Sequence, residues 1–324
     1  MTALTRRTLL ESAALAATAT VLPQAAQAAA PPAGKQAPAF YRYKIGSYEL
    51  TAIHDGVWIR DVDNTFVRNA PWPAVQKAMM DAHMAPGKLA IPFTTLVVNT
   101  GSKLVLIDTA TGGQLAATAG AFGGNLAAAG IDPKQIDTIL ISHFHADHIN
   151  GIKTKDNAVV FPNAEIKVPA AEWAYWMDDA NMAKAPEAAR PAWLNVRRVF
   201  ADIAAKVEKF EPNKEVAPGI TSIAAPGHTP GHTVFAIASG NQSMLALGDT
   251  TNNPLLFVRN PDWHAIFDTD GAMAAETRKK LLERATVDRM LVQGYHFPFP
   301  ASGHIVQTGP HTYDLVPAMW QPSL

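Results

Sequence analysis

The sequence contains no cysteine, and this absence excludes several kinds of chemistry. Without thiols the chain forms no disulfide bonds, has no cysteine nucleophile and offers no thiolate ligand, so a metal site must use imidazole, carboxylate and water. An excess of charge is also missing, because 27 lysines and arginines face 28 aspartates and glutamates. We therefore expect a small-molecule substrate and no nucleic-acid partner, since no positive field recruits a polyanion. The serine-hydrolase motif Gly-x-Ser-x-Gly is absent as well, which argues against a serine nucleophile.

Long hydrophobic runs are absent, and the N-terminal run at 13–22 is shorter than the ~20 residues that span a bilayer. Arg6 and Arg7 precede this run, and Ala-Gln-Ala at 26–28 is typical of a signal-peptidase site. We interpret residues 1–28 as a twin-arginine export signal, with an uncleaved membrane anchor as the alternative. The expected product is periplasmic or secreted, with no stable membrane anchoring after signal cleavage.

The pattern of the remaining chain indicates one domain with an insertion. Residues 29–38 are rich in proline and alanine and are interpreted as a flexible lead-in to a hydrolase domain at 39–324. Helical patterns are predicted at 114–129 and 272–285. Strand patterns are predicted at 41–45, 48–54, 92–99, 103–108, 138–142, 220–224, 234–238, 243–247 and 290–292.

The insertion, at about 170–210, departs from the strand pattern because its aromatic residues follow helical spacing. These residues are Trp173, Tyr175, Trp176, Trp193 and Phe200. Aromatic side chains at helical spacing are usually buried, so core-packing helices are the favoured interpretation. The alternative is a lid that walls an apolar pocket.

The hexapeptide HFHADH at 143–148 is the strongest chemical signal in the chain. His143 and His145 lie two apart at the end of a predicted strand, so alternation is expected to aim both side chains to one side. One metal ion can take this pair while a second ion, about 3.5–4 Å away, takes Asp147 and His148, a spacing suited to two-metal hydrolysis. A polar surface loop is the alternative. This ligand chemistry favours two divalent ions, with zinc preferred and manganese, iron or cobalt as alternatives.

Three further ligands are predicted at distant positions. His228 lies in the glycine-rich segment PGHTPGHT at 226–233, where glycines allow a tight turn. Asp249 ends an apolar strand, a position suited to a bridging carboxylate, and His296 follows the last predicted strand. For His232 and His304 two interpretations are equally favoured: each either orients a ligand by a hydrogen bond or has no role at the site.

From about residue 90 to 300 the sequence resembles the metallo-β-lactamase superfamily, whose five motifs occur in order. Asp108 matches the first motif, 143–148 the second, and His228, Asp249 and His296 the third to fifth. The resemblance implies an α+β fold, an αββα sandwich of two mixed β-sheets with outer helices. It also implies the ligand sets: His143, His145 and His228 for one ion, Asp147, His148 and His296 for the other, and Asp249 as the bridge.

The chain departs from the family pattern at Ala110, where glycine usually follows Asp108-Thr109. Asp108 is nevertheless expected to orient ligands. Within the family, the segments 98–109, 226–233 and 296–305 are most similar to methyl parathion hydrolase and related exported lactonase-like hydrolases. A homodimer is an expectation from the family resemblance alone.

The sequence thus predicts a dinuclear metal-dependent hydrolase in which a metal-bridging hydroxide cleaves small apolar esters, lactones or organophosphate triesters. The predicted catalytic carboxylates are Asp147 and Asp249, the latter as acceptor of a proton for the leaving group. Thioester or β-lactam hydrolysis is the alternative within the same fold. A non-catalytic, metal-stabilised binding protein is a further alternative.

Overall fold

The structure, a computed structural model, describes residues 32–324. The predicted export signal at 1–28 and the start of the lead-in at 29–38 lie outside these residues. Pro38–Leu324 forms one compact unit. Within residues 32–324, no helix combines the length and the apolar character needed to cross a membrane.

The unit contains two seven-stranded sheets, each with parallel and antiparallel pairs. The first has strands in chain order: β1 Phe40–Ile45, β2 Tyr48–Asp61, β3 Lys88–Asn99, β4 Leu104–Ile107, β5 Thr138–Leu140, β6 Glu165–Pro169 and β7 Glu208–Phe210. The second runs from β14 back to β8: β8 Glu215–Ala217, β9 Ile220–Ala224, β10 Thr233–Ser239, β11 Gln242–Ala246, β12 Leu291–Gln293, β13 Ser302–Gly309 and β14 Thr312–Pro317. Parallel pairing runs from β4 to β7 in the first sheet and joins β11 to β12 in the second.

Helices cover the outer faces of both sheets. They are α1 Trp72–Asp81, α2 Phe122–Ala128, α3 Ala146–Ile149, α4 Ala170–Met177, α5 Asp179–Lys184, α6 Arg190–Phe200 and α7 Gly271–Val287. Neighbouring residues of a strand point to opposite faces, so β4 places Val105 in the core between the sheets and Leu106 in the core under α2 and α6. Leu281 of α7 packs on the other side, against Leu245 of β11. The layers are therefore helix, sheet, sheet and helix, the predicted αββα sandwich.

The predicted helix at 114–129 is too long, because α2 begins only at Phe122. Gly120, inside the predicted range, has a φ of 113°, which a right-handed helix does not contain. The buried carboxylate of Asp55 accepts hydrogen bonds from the backbone N–H groups of Gly120 and Phe122. It therefore satisfies N–H groups that have no partner inside the helix, and it fixes where α2 starts.

The aromatic segment is helical over α4, α5 and α6, and its last residues, Glu208–Phe210, form β7. Trp176, Trp193 and Phe200 are buried in the core that lies against the first sheet. These contacts support core packing as the main role of the insertion aromatics.

Candidate metal centre

The predicted ligands meet where the strands of two parallel pairs end. Asp108 and residues 143–148 come shortly after the ends of β4 and β5, which are parallel neighbours in the first sheet. Asp249 and His296 come shortly after the ends of β11 and β12, the parallel pair of the second sheet. Parallel neighbours end at the same edge of a sheet, so both sheets deliver their ligands to one edge of the sandwich. His228 comes from the loop that joins β9 to β10.

The first ligand group contains His143, His145, His228 and Asp249. The Nδ1 atom of His145 lies 3.0 Å from the Nε2 atoms of both His143 and His228. Oδ2 of Asp249 lies 3.3 Å from Nε2 of His228 and 3.9 Å from Nε2 of His143. A tetrahedral ion with metal–nitrogen distances of about 2.0 Å separates its ligand nitrogens by about 3.3 Å. The group therefore fits one divalent ion.

The second ligand group contains Asp147, His148, His296 and again Asp249. Oδ2 of Asp147 lies 3.4 Å from Nε2 of His148 and 3.5 Å from Nε2 of His296. Oδ2 of Asp249 lies 2.9 Å from Nε2 of His296, and its Oδ1 lies 3.2 Å from Nε2 of His148. Nε2 of His148 and Oδ1 of Asp249 are buried without a hydrogen-bond partner among the described residues, a cost that a bound cation would remove. Asp249 thus contacts both groups and is placed to bridge two ions.

The structure brings all seven predicted ligands together, but strand alternation is not the reason that His143 and His145 converge. β5 ends at Leu140, before both histidines. His145 has extended backbone angles and stands immediately before the single turn of α3, which carries Asp147 and His148. The loop between β5 and α3, rather than a strand, therefore turns the two imidazoles towards each other.

Four of the ligand imidazoles donate their outer N–H to a fixed oxygen, which sets the ring orientation and leaves the other nitrogen for a metal. The Nδ1 contacts are His143 to Ser142 Oγ at 3.0 Å, His148 to Asp108 Oδ2 at 2.8 Å, His228 to Asp268 Oδ1 at 3.0 Å and His296 to the Pro92 carbonyl at 2.8 Å.

Asp108 has the geometry expected of a residue that orients ligands. Its carboxylate accepts the Nδ1–H of His148 and both the N–H and the hydroxyl of Ser142, each at 2.8 Å. Ala110 has a φ of 65° and is fully buried, so the chain adopts a turn that favours glycine while carrying a methyl group. The substitution at 110 leaves the contacts of Asp108 in place.

Burial and neighbouring charges set the protonation of the ligands. Burial, reinforced by His228, lowers the pKa of His145 to about 3, so this imidazole is neutral near pH 7. Burial also opposes charge on His228, but Asp249 and Asp268 outweigh it and raise the pKa of His228 to about 9. Against the effect of burial, His296 and His148 hold the pKa of the Asp249 carboxyl well below its usual range. Asp249 is therefore an anion that can bind cations.

A cavity of about 230 Å³ lies over the ligands. His145, Asp147, Asp249 and His296 line its floor. Its wall is mostly apolar and consists of Trp58, Ile91, Phe93, Leu115, Ala146, Ala192, Asn252 and Phe267. Only Ala192 comes from the insertion, so the insertion aromatics lie outside this cavity. They line a neighbouring cavity of about 510 Å³ instead, through Tyr175, Trp176 and Trp193.

The two open histidines have different positions. His232 is buried, donates from Nδ1 to the Ala225 carbonyl at 3.2 Å, and accepts the N–H of Asp249 at Nε2 at 3.0 Å. His232 therefore positions the shared carboxylate. His304 is exposed on β13 and belongs to neither ligand group.

Two buried carboxylates beside the ligand groups were not predicted from the sequence. Asp268 orients His228 but lies in a loop with no motif around it. Glu172 is fully buried and contacts the loops that carry the first ligand group. A signal for Glu172 was present, since it is the one charged residue in the apolar segment AAEWAYWM of α4.

Comparisons with known proteins agree with this geometry. The family model described as metallo-beta-lactamase superfamily matches residues 90–296. A solved hydrolase named AbOPH, of the beta lactamase superfamily, is 26% identical over 89% of this chain and 100% of its own, with a TM-score of 0.83. AidC, a dizinc quorum-quenching lactonase solved with a product N-hexanoyl-L-homoserine, is 27% identical over 87% of this chain and 98% of its own, with a TM-score of 0.82. A probable metal-dependent hydrolase from Staphylococcus aureus shares the fold at 21% identity over 86% of this chain and 100% of its own, with a TM-score of 0.69. No curated protein sequence matches significantly.

Proposed function

Because the chain belongs to the metallo-β-lactamase superfamily, we propose that it is a dinuclear hydrolase of small apolar lactones and esters. The observation that carries this proposal is the meeting of two ligand groups at Asp249 under a cavity with an apolar wall. Such a floor suits two divalent ions, and zinc is the preferred ion because the ligands are imidazoles and carboxylates without thiolate.

Asp249 and Asp147 have different roles in the proposed reaction. When bound, a pair of divalent ions lowers the pKa of a water and polarises the oxygen of the scissile bond. Asp249 connects the two ligand groups, because one of its oxygens lies near His148 and the other near His228 and His296. The side chain of Asp147 is 14% exposed, against 4% for Asp249, and it faces the cavity. This exposure favours Asp147 over Asp249 as the carboxylate that passes a proton to the leaving group.

The cavity wall determines the substrate class. Apart from the ligands on its floor, the cavity is lined by no charged side chain among the described residues. A neutral, apolar substrate therefore loses least on entering. Similarity to the lactonase AidC supports a lactone as the main substrate. The motif likeness to methyl parathion hydrolase supports organophosphate triesters as additional substrates.

A substrate panel tests this proposal. Zinc-loaded protein is given N-hexanoyl-homoserine lactone, an aryl ester, methyl parathion, a β-lactam and a glutathione thioester, and kcat/KM is measured for each. We expect the highest value for the lactone or the aryl ester, with methyl parathion slower. Turnover of only the β-lactam or the thioester would contradict the proposed substrate class.

We also propose export through the twin-arginine route and assembly as a homodimer. The export proposal is supported by Arg6 and Arg7 ahead of a short apolar run. N-terminal sequencing of protein from a producing cell is expected to find a chain that starts near Ala29, and replacing both arginines by lysine should prevent export. Light scattering of the processed protein is expected to give twice the chain mass.

A further inference from the structure

Glu172 lies outside both ligand groups, yet its carboxylate is fully buried. Among the residues that the structure describes, no lysine, arginine or histidine forms an ion pair with it. Burying a carboxylate costs free energy unless hydrogen bonds satisfy it. Burial raises the pKa of Glu172, and hydrogen bonds from backbone and side-chain donors oppose that rise. An apolar side chain at this position would avoid the cost of burial but could not accept hydrogen bonds from the neighbouring segments.

The donors that satisfy Glu172 come from three separate segments. Oε1 accepts the backbone N–H of Phe144 at 3.0 Å and the indole N–H of Trp176 at 2.7 Å. Oε2 accepts the backbone N–H of Gly231 at 2.9 Å. All three partners are pure donors, so they match a carboxylate, which only accepts.

Two of these donors stand beside ligands of the first group. Phe144 lies between His143 and His145, and Gly231 follows His228 by three residues. A Cβ atom at Gly231 would lie 2.1 Å from the backbone nitrogen of Glu172, which shows how closely the loop carrying His228 packs on α4. The donors of Glu172 do not include any residue next to His148 or His296.

We propose that Glu172 is a positioning residue that locks the loops of His143, His145 and His228 to α4 and so builds the first metal site selectively. The second site has its own anchor, because the Tyr295 hydroxyl donates to the Asp147 carbonyl at 2.6 Å. The proposal rests on the proposed two-ion centre. Loss of an outer hydrogen-bond partner of a metal site typically lowers metal affinity roughly 10–100-fold.

Calorimetric titration of the metal-free full chain with zinc tests the proposal. His145→Ala and Asp147→Ala remove a ligand from one site each and therefore assign the two binding steps. Glu172→Gln keeps the shape of the side chain but turns one acceptor into a donor that faces an N–H group. We expect it to weaken the first site roughly 10–100-fold and to leave the second within about threefold. Glu187→Gln, an exposed glutamate in the same insertion, is the matched control and is expected to match wild type.

Gly231→Ala is a second variant, which pushes the His228 loop away from Glu172 and is expected to weaken the first site at least tenfold. Because Gly231 precedes His232, which positions the shared Asp249, selectivity between the sites is assessed with Glu172→Gln alone. Circular dichroism establishes that each variant is folded. Equal affinities in wild type and Glu172→Gln, or an equal loss at both sites, would overturn the positioning role. Fewer than two ions bound by the wild type would instead contradict the proposed function.

Discussion

The metal ligands and the cavity wall lie next to each other, but they are held in place differently. Four ligand imidazoles are fixed through Nδ1 by a hydroxyl, a carboxylate or a carbonyl oxygen, and Asp249 is held by His232. The wall consists mostly of apolar side chains from β2, β3, α3, α6 and loops, which offer a substrate apolar surface rather than directional bonds. Directional hydrogen bonds tolerate little displacement, whereas apolar contacts change gradually with area. Substitutions of the ligands and their partners should therefore change activity or zinc affinity strongly, whereas substitutions in the wall should change kcat/KM only slightly.

The largest effect is expected at the shared ligand. Asp249→Asn removes the charge that serves both ligand groups, and we expect kcat/KM to fall by ~10³-fold, equivalent to about 4 kcal/mol. Steady-state hydrolysis of the preferred lactone by metal-loaded protein measures this change. Asp262→Asn, at an exposed carboxylate that pairs with Lys279, is the control and should retain wild-type activity. Activity within about tenfold of wild type in Asp249→Asn would mean that this carboxylate is not part of the reaction centre.

An intermediate effect is expected one hydrogen bond away from the ligands. Asp268→Asn replaces the carboxylate that accepts the Nδ1–H of His228, and zinc affinity should fall roughly 10–100-fold. Competition with a coloured chelator measures the affinity. Asp81→Asn, whose exposed carboxylate pairs with Lys77 far from the ligands in sequence, provides the comparison. An unchanged zinc affinity in Asp268→Asn would contradict the claim that hydrogen bonds to Nδ1 hold the ligand imidazoles in place for metal binding.

The smallest effect is expected at the wall. Leu115→Ala trims a partly exposed apolar side chain, and each CH₂ group lost from a contact weakens it by up to ~0.8 kcal/mol. We expect kcat/KM to fall several-fold for a long-chain acyl lactone and to change little for a short-chain one. Zinc affinity should stay at the wild-type value. Met80→Ala, at an exposed apolar residue of α1, is the control. A loss of zinc affinity in Leu115→Ala would show that wall and ligands are not independent.

The same contrast explains which parts the sequence could predict. Ligands occur as close clusters at strand ends, so residues 143–148 and Asp249 are recognisable from residue type and spacing. Alternating apolar residues likewise predicted most strands of the sandwich. The start of α2 was not predictable, because a carboxylate 67 positions away, on Asp55, determines it. Trp58, Phe93 and Phe267 meet only after folding, and no local pattern marks them as one wall.

Zinc titration of metal-free protein, followed by hydrolysis of N-hexanoyl-homoserine lactone, tests the dinuclear hydrolase most directly. The two ligand groups that share Asp249 predict no turnover without metal and full activity only after two zinc ions have bound per chain. Full activity in the metal-free protein would contradict a metal-dependent mechanism. A plateau at one ion per chain would contradict the dinuclear centre.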